Sequence, residues 1–307
     1  MSTLLTNMHS SRTNKIKSLS VDFPDTELIL NKDGSVYHLN LKPNNIAENI
    51  IVVGDPGRVH QVSKYFDTID FEMNKREFIT HTGSLNGKKL TVISSGIGTD
   101  NVEILMTELD ALVSINFKNR KRKTRRKKLK IVRIGTSGTL KPAIALDSYL
   151  VSENALGLDN LMTFYKLGQK SIYKDVCKAL KQHVSLQITP YLVSCSPKLL
   201  QAIAFDMLKG NTITSPGFYA PQGRVLRAPV KHPDLLEKLQ NFEIDNFTLS
   251  NFEMETAAYY AFGQLLKHDV LSVNAIIANR ALKKFSKNPQ RVIDALIIKV
   301  LERFSNL

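Results

Sequence analysis

From residue 49 onward, short continuous apolar runs alternate with longer segments whose apolar residues recur at helical spacing. Short apolar runs are typical of buried strands, whereas apolar residues at positions i, i+3 and i+4 are typical of amphipathic helices. The first pair is IIVV at 50–53 followed by VHQVSKYF at 59–66, and the last is VLSVNAIIANR at 270–280 followed by NPQRVIDALIIKVLERF at 288–304. This alternation predicts an α/β fold with a mixed sheet and helices on both of its faces.

The stretch NFEMETAAYYAFGQLL, residues 251–266, predicts an apolar helix with two carboxylates, Glu253 and Glu255, in its first turn. A helix N-terminus offers backbone donors and partial positive charge, which hold a carboxylate in place. A carboxylate fixed in this way can accept two hydrogen bonds from a vicinal diol, such as the 2′- and 3′-hydroxyls of a ribose. An alternative is that both glutamates only complement the helix dipole, because acidic first turns are common.

Three predicted strands end in glycine-rich turns, namely GDPGR at 54–58, SGIG at 95–98 and GTSG at 135–138. Such turns let backbone N–H groups approach an anion, and a guanidinium fork suits phosphate oxygens. Arg58 therefore predicts a phosphate contact, with a tight turn and a surface arginine as the alternative. Arg133 lies in a strand that reads as buried, so it needs a partner, either a bound phosphate or a buried carboxylate. Arg76 is a further candidate anion contact.

The segment TITSPGFYAPQGRVLR, residues 212–227, has no regular period and predicts a loop with a functional role. The amide of Gln222 offers one acceptor and two donors, and Arg224 offers only donors. Together they match the edge of a uracil ring, which presents O2, N3–H and O4, and Phe218 could stack on such a base. The alternative is a solvated loop with a packed aromatic residue.

The net charge of +14 comes mainly from one segment, KNRKRKTRRKKLK at 118–130, which holds ten basic residues and no acidic one. Without these ten charges, the remaining chain carries a net charge of only +4. We interpret the segment as a basic surface loop that would bind phosphate backbones weakly and in a salt-dependent manner. Specific nucleic-acid binding is not expected, because no aromatic interleaving or recognised binding module accompanies the charge.

The remaining composition limits the class of protein. A chain of 307 residues has room for one large α/β domain or two ordinary domains. Residues 1–36 are polar and predict a flexible N-terminal tail, with no export signal. No apolar run is long enough to span a membrane, and the two cysteines, Cys177 and Cys195, favour a reducing, cytoplasmic setting. The sequence contains no CxxC, HExxH or GxxxxGK[ST] motif, so metal-centre and P-loop functions lack support.

Taken together, GDPGRV, RIGTSG, FYAPQGR, FEMET and the strand that ends in NR resemble the nucleoside phosphorylase family, and most closely its uridine phosphorylases. The resemblance covers residues 37–307, and the order and spacing of the motifs match the family. It implies a single-domain, three-layer α/β/α fold. The implied reaction is phosphorolysis, in which uridine and phosphate give uracil and ribose 1-phosphate, without a metal or redox cofactor.

The resemblance also assigns site residues. It implies that phosphate is held by Gly54, Arg58, Arg133 and Thr136, joined by Arg76 from a neighbouring subunit. It implies that the ribose is held by Met254 and Glu255, with Glu253 beside them and with His38 reaching the 5′-hydroxyl from the neighbour. The base would be held by Phe218, Gln222 and Arg224, with Arg280 in support. Because sites are shared between subunits, the family implies a homo-oligomer, either a dimer or a hexamer.

Within the family, the phosphate-binding arginines favour phosphorolysis over hydrolysis by a nucleosidase. The absence of an acid at Asn279 and Arg280, with Gln222 and Arg224 present, favours a pyrimidine over a purine base. One departure from the family pattern is the turn at Thr99, Asp100 and Asn101, where a Gly-Pro-Ser type of turn is usual. This departure places the inter-subunit monovalent-cation site of some members in doubt.

Overall fold

The structure is a computed structural model that describes residues 22–307. Fifteen strands lie in this range, in chain order β1 (Asn49–Val53), β2 (Thr68–Lys75), β3 (Phe78–Leu85), β4 (Lys88–Ser94), β5 (Ile115–Asn116), β6 (Lys121–Arg122), β7 (Lys130–Thr139), β8 (Tyr149–Gly157), β9 (Tyr191–Ser194), β10 (Leu208–Thr214), β11 (Glu243–Ile244), β12 (Phe247–Thr248), β13 (Asn251–Glu253), β14 (Asp269–Asn279) and β15 (Lys284–Phe285). The α-helices in the same range are α1 (Gly57–Ser63), α2 (Thr99–Ser114), α3 (Ser171–Val184), α4 (Pro197–Ile203), α5 (Leu235–Asn241), α6 (Thr256–Leu266) and α7 (Pro289–Phe304).

Eleven of the strands form one mixed sheet in the order β15-β14-β8-β10-β13-β7-β1-β4-β3-β2, with β9 added to the edge of β8. The long strand β14 pairs with β7 in parallel and with β8 in antiparallel orientation. The strands β7, β14, β8, β10 and β13 therefore close into a ring, and β1 to β4 extend from it as an open sheet. The predicted three-layer α/β/α fold with a mixed central sheet is confirmed.

The apolar residues of this sheet pack against the helices. Helix α6 contacts α2 and the strands β8, β9, β10 and β14, whereas α7 contacts β7, β14 and α4. Helix α6 is apolar on almost every side, and its Tyr259, Tyr260 and Phe262 are buried. A helix that is apolar all round belongs in the interior of a protein. Its N-terminal end is consequently held rigidly beside the sheet.

The predicted start of the central helix was wrong by five residues. Residues Asn251–Glu253 form β13, which pairs with β10 on one side and β7 on the other, and α6 begins only at Thr256. The sheet therefore takes the segment that helical spacing assigned to the first turn. Glu253 ends a strand, and Glu255 occupies the position just before the helix.

Residues 22–36 also differ from the predicted flexible tail, whereas residues 1–21 lie outside the described part of the chain. Leu28 and Val36 are buried, and a bridge joins Leu30 to Val36. The segment lies against the basic run of residues 118–130, which is itself more ordered than a solvated loop. The first residues of the run form the turn of the β5–β6 hairpin and strand β6, and its Leu129 is buried.

Candidate active site

One cavity of about 740 Å³ lies beyond the carboxyl ends of β1 and β4, along the second half of β7. Ligands in open α/β sheets occupy this kind of position. Its lining includes ten of the predicted site residues, which come from four separate stretches of the sequence: Gly54, Arg58, Arg133, Thr136, Phe218, Gln222, Arg224, Glu253, Met254 and Glu255. Residues that are distant in the sequence are therefore brought together around one partly open cavity.

The end of the cavity next to α1 is suited to an anion. Gly54 directly follows β1, and Arg58 lies in the first turn of α1. Burial lowers the pKa of Arg58, and the nearby Arg133 lowers it further against the opposing effect of Asp55. A buried guanidinium beside a second one attracts a phosphate, because an anion between them relieves both desolvation and repulsion.

Arg133 is the most buried cation of the cavity, with a side chain only 4% exposed. One terminal nitrogen, Nη2, lies 2.5 Å from Glu255 Oε2 and 3.2 Å from Glu253 Oε2. The other, Nη1, donates to Asn274 at 3.1 Å and to Ser272 at 3.3 Å. Burial opposes the charge of Arg133, but the two carboxylates raise its pKa overall. The sequence predicted that Arg133 has a partner, either a bound phosphate or a buried carboxylate. In the structure, two carboxylates are its partners within the chain.

Gly135 leaves room for the position of the Arg133 side chain. The side chain of Arg133 folds back over the strand, so a Cβ at Gly135 would lie 2.1 Å from Arg133 Nη1 and 2.7 Å from Asn274 Oδ1. No side chain fits there without displacing the guanidinium. Gly135 is therefore required by the position of Arg133. The predicted glycine-rich turn at 135–138 was wrong, because these residues continue β7 to Thr139 in register with β14.

Glu255 has contacts to two different parts of the cavity wall. Its Oε1 accepts a hydrogen bond from the backbone N–H of Gly98 at 2.9 Å, and its Oε2 faces Arg133. Burial raises the pKa of Glu255, and the neighbouring charge of Glu253 raises it further, although Arg133 opposes both effects. Each carboxylate oxygen keeps acceptor capacity beyond these two contacts. Glu255 can therefore still receive hydroxyl donors from a sugar.

The opposite end of the cavity is formed by the loop after β10. Arg224 Nη1 donates to Gln222 Oε1 at 2.7 Å, and its guanidinium carbon lies 3.7 Å from the centre of the Phe218 ring. Burial and the charge of Arg280 lower the pKa of Arg224 to about 10, against the opposing effect of Tyr219. Gln222 is buried, whereas half of Phe218 is exposed. The group thus combines a planar polar edge with an aromatic face.

Three predicted residues do not line this cavity. Arg280 lies behind the loop, where its Nη1 donates to the backbone oxygen of Gln222 at 3.1 Å. Arg76 is exposed and lies about 6.0 Å from the Tyr37 ring. The Nδ1 atom of His38 lies 2.7 Å from Glu108 on α2. Arg280 can support the base end from behind, while Arg76 and His38 do not reach the cavity of their own chain.

Several residues that hold or line the site were missed from the sequence. The backbone N–H of Gly98 and the side chains of Ser272 and Asn274 hold the two central charges. Asn274 is a polar residue inside the apolar strand β14, and this was a usable signal because a buried amide needs a partner. Glu77, Asn101 and Phe285 also line the cavity. No local pattern distinguished them.

Residues Thr99–Asn101 form the first turn of α2. The Asn101 side-chain nitrogen donates to the carbonyl oxygen of Ile97 at 3.4 Å. In residues 22–307, no group of three or more His, Cys, Asp or Glu side chains is arranged to hold a metal ion. No helix in this range is long and apolar enough to cross a membrane.

A model of the family described as Phosphorylase superfamily matches residues 48–304. The chain belongs to this superfamily. A uridine phosphorylase of Thermococcus kodakarensis is 26% identical over 277 residues, which cover 88% of this chain and 85% of the relative. A uridine phosphorylase of Haemophilus influenzae is 27% identical over 257 residues, which cover 80% and 86%.

Among solved structures, a nucleoside phosphorylase of Trypanosoma brucei, described as showing uridine phosphorylase activity, is similar with a TM-score of 0.80. The two chains are 26% identical, and the similarity covers 90% of this chain and 99% of the other. The range 48–304 that the family model matches contains every residue that lines the cavity. The superfamily fold therefore extends over the whole candidate active site.

Proposed function

We propose that the protein catalyses the reversible phosphorolysis of uridine to uracil and ribose 1-phosphate. The observation that carries this proposal is that one cavity joins an anion end, a central carboxylate and a base end. These are represented by Arg58, Glu255 and the Gln222–Arg224 pair. The relatives named as uridine phosphorylases support the same substrate.

In this reaction a phosphate oxygen forms a bond to C1′ of the ribose while the bond from C1′ to N1 of the base breaks. The bonding electron pair leaves with the uracil, which then takes up a proton. Arg58, Thr136 and the backbone at Gly54 would hold the phosphate, and Arg133 would contribute its charge. Glu255 would accept hydrogen bonds from the ribose hydroxyls, with Met254 packed beside the ring.

Stabilisation of charge on the leaving uracil is assigned to Gln222 and Arg224. Donors that face the developing charge stabilise the transition state more than the ground state. Positioning of phosphate, ribose and base in one cavity contributes as well, because oriented reactants avoid much of the entropic cost of encounter. The reaction as written balances without a metal or a redox cofactor.

Arg76 and His38 are proposed to complete the cavity of a neighbouring subunit, since neither reaches the cavity of its own chain. This assignment makes the working unit a homo-oligomer. Analytical ultracentrifugation should show a dimer or larger species at catalytic concentrations. A protein that is monomeric and fully active would remove both residues from the site.

A purine nucleoside is the second candidate, but the structure gives it less support. The side chain of Asn279 stands where an acid for the purine N7 would be needed. Its amide nitrogen donates to the backbone oxygens of Ile144 and Lys141, and its oxygen accepts from Leu282. All of these contacts lie within the protein, so Asn279 is not free to serve a base.

A product assay across uridine, thymidine and inosine, each with and without phosphate, tests the proposal. We expect phosphate-dependent release of uracil from uridine, with stoichiometric ribose 1-phosphate. Release of hypoxanthine from inosine without release of uracil would overturn the assignment of the base. Uracil accompanied by free ribose in the absence of phosphate would instead indicate a nucleosidase.

A further inference from the structure

Glu253 differs from Glu255 in that its oxygens are already occupied by donors of the protein. Its Oε2 accepts hydrogen bonds from the backbone N–H groups of Glu255 at 2.9 Å and Thr256 at 2.8 Å. Its Oε1 accepts one from the Thr214 hydroxyl at 2.5 Å. Arg133 Nη2 lies 3.2 Å from Oε2 and forms an ion pair with it. A carboxylate has about four acceptor positions, so little capacity is left for a substrate.

The donors around Glu253 come from three separate elements. Thr214 ends β10, Thr256 begins α6, and Arg133 belongs to β7. Glu253 therefore ties the N-terminus of α6 to two strands of the closed ring. Because Glu255 lies within this joint, its backbone position is set by Glu253.

The same carboxylate restricts the orientation of Arg133. Both hydrogens of Nη1 are directed to Ser272 and Asn274, and Nη2 is shared by the two glutamates. The Nε atom is buried, and no acceptor for it lies among residues 22–307. Three of the five N–H donors are hydrogen-bonded and Nη2 is also ion-paired with Glu253, so these contacts together fix the orientation of the guanidinium.

We infer that Glu253 is a positioning residue that fixes Arg133 and the backbone of Glu255, and that it makes no contact with the ribose. This inference reassigns a residue that the motif FEMET placed beside the sugar. It rests on the proposed function for its substrate, but it requires only that the protein cleaves some ribonucleoside.

The arrangement also has an electrostatic consequence for Glu255. The charged or titratable groups that face Glu255 are Arg133 from β7, Glu253 from β13 and Tyr259 from α6. Burial raises the pKa of Tyr259, so this group is neutral at physiological pH. Glu253 is thus the negative charge in this set that raises the pKa of Glu255, and Arg133 is the positive charge that opposes it.

The Glu253→Gln variant removes the negative charge of the side chain but can keep its hydrogen bonds to the backbone. The glutamine oxygen can take the place of Oε2 and receive both backbone N–H groups, while its nitrogen faces the Thr214 hydroxyl, which can rotate to accept. Glu253→Asp keeps the charge but is too short to reach the same donors. For a positioning residue, we expect Glu253→Gln to retain much more activity than Glu253→Asp.

The first measurement is the ratio of kcat/KM for a ribonucleoside to that for its 2′-deoxy analogue, with uridine and 2′-deoxyuridine as the pair. We expect the ratio in Glu253→Gln to stay within about twofold of the wild type, because no hydrogen bond to the sugar is lost. The matched control, Glu255→Gln, removes a charged acceptor and should change the ratio by roughly 10- to 100-fold. A comparable change in Glu253→Gln would overturn the inference.

The second measurement is the pH dependence of kcat/KM, which reports the pKa values of essential groups in the free enzyme. If Glu255 must be ionised, activity falls as the pH decreases through its raised pKa. Removing the charge of Glu253 lowers that pKa, so the acid limb in Glu253→Gln should move to lower pH relative to the wild type. A purely structural defect would reduce activity without moving the limb, and an unmoved limb would contradict the inference.

Failure of the proposed function is distinguishable from failure of this inference. If the wild type cleaves inosine instead of uridine, the base assignment fails. The same two measurements can then be made with inosine and 2′-deoxyinosine. Thermal unfolding of each variant identifies any loss of activity that arises only from misfolding.

Discussion

Arg133 and Arg120 both use their guanidinium groups to hold distant parts of the chain, but in different surroundings. Arg133 lies between two buried carboxylates, and its side chain is 4% exposed. Arg120, in the basic run of residues 118–130, has a side chain that is 24% exposed. It donates to the backbone oxygens of Phe23, Pro24 and Leu28 and pairs with the exposed Asp25. Similar numbers of contacts therefore serve a cavity in one case and a surface segment in the other.

The comparison indicates that burial, more than the number of contacts, determines how much the loss of a charged side chain destabilises the protein. An exposed ion pair contributes little, because water and salt screen it. A buried charge without its partner is strongly unfavourable. We therefore expect substitution of the buried Arg133 to affect stability and catalysis together, and substitution in the basic run to leave catalysis unchanged.

The largest effect is expected for Arg133→Leu. It leaves Glu253 and Glu255 buried without their shared cation, and loss of one partner from such a pair costs about 3–5 kcal/mol. Urea denaturation should show this decrease in the free energy of unfolding, and turnover should be abolished. Arg133→Lys is the matched control, since it keeps the charge but loses the planar fork. A free energy of unfolding close to that of the wild type in Arg133→Leu would show that the carboxylates do not depend on Arg133.

The next effect concerns catalysis alone. Arg224→Ala removes a donor that faces the departing base, which should lower kcat/KM by about 10²- to 10³-fold. The melting temperature should change little, because the side chain is only half-buried. Arg227→Ala, an exposed residue of the same loop, provides the control and should retain activity. Equal kinetics in Arg224→Ala and Arg227→Ala would exclude Arg224 from the active site.

The smallest effect is expected for Arg120→Ala. Loss of hydrogen bonds from a charged donor should lower the free energy of unfolding by about 1–3 kcal/mol. Limited proteolysis should then cut within residues 22–36 faster than in the wild type, while kcat/KM for uridine should be retained. Arg125→Ala is the control, because that side chain is exposed. If Arg120→Ala instead abolished turnover, the basic run would belong to the catalytic unit.

The α/β class, the glycine-rich turn at 54–58 and the loop that carries Gln222 and Arg224 could all be predicted from the sequence. Each depends on residues that are close together in the chain, and the family motifs place them in a known order. The start of α6 could not be predicted, because a three-residue strand is too short to show a period. The pairing of β13 with β10 and β7 determines its conformation, and this is a long-range effect.

The different contacts of Glu253 and Glu255 also could not be predicted from the sequence. Glu253 and Glu255 are two positions apart and chemically identical, yet the first accepts three hydrogen bonds from the protein and the second accepts two. Thr214 and Arg133, which create this difference, lie 39 and about 120 positions away in the chain. The structure of residues 22–36 also depends on distant residues, since Phe23, Pro24 and Leu28 accept hydrogen bonds from Arg120.

The central claim is that one cavity binds phosphate, ribose and base at the same time, and a crystal soaked with uridine and sulfate tests it most directly. Sulfate mimics the shape of phosphate but does not complete the reaction. The account predicts sulfate beside Arg58 and Thr136, the ribose hydroxyls on Glu255 and the uracil edge against Gln222 and Arg224. Electron density for the nucleoside at any other surface, with this cavity empty, would contradict it.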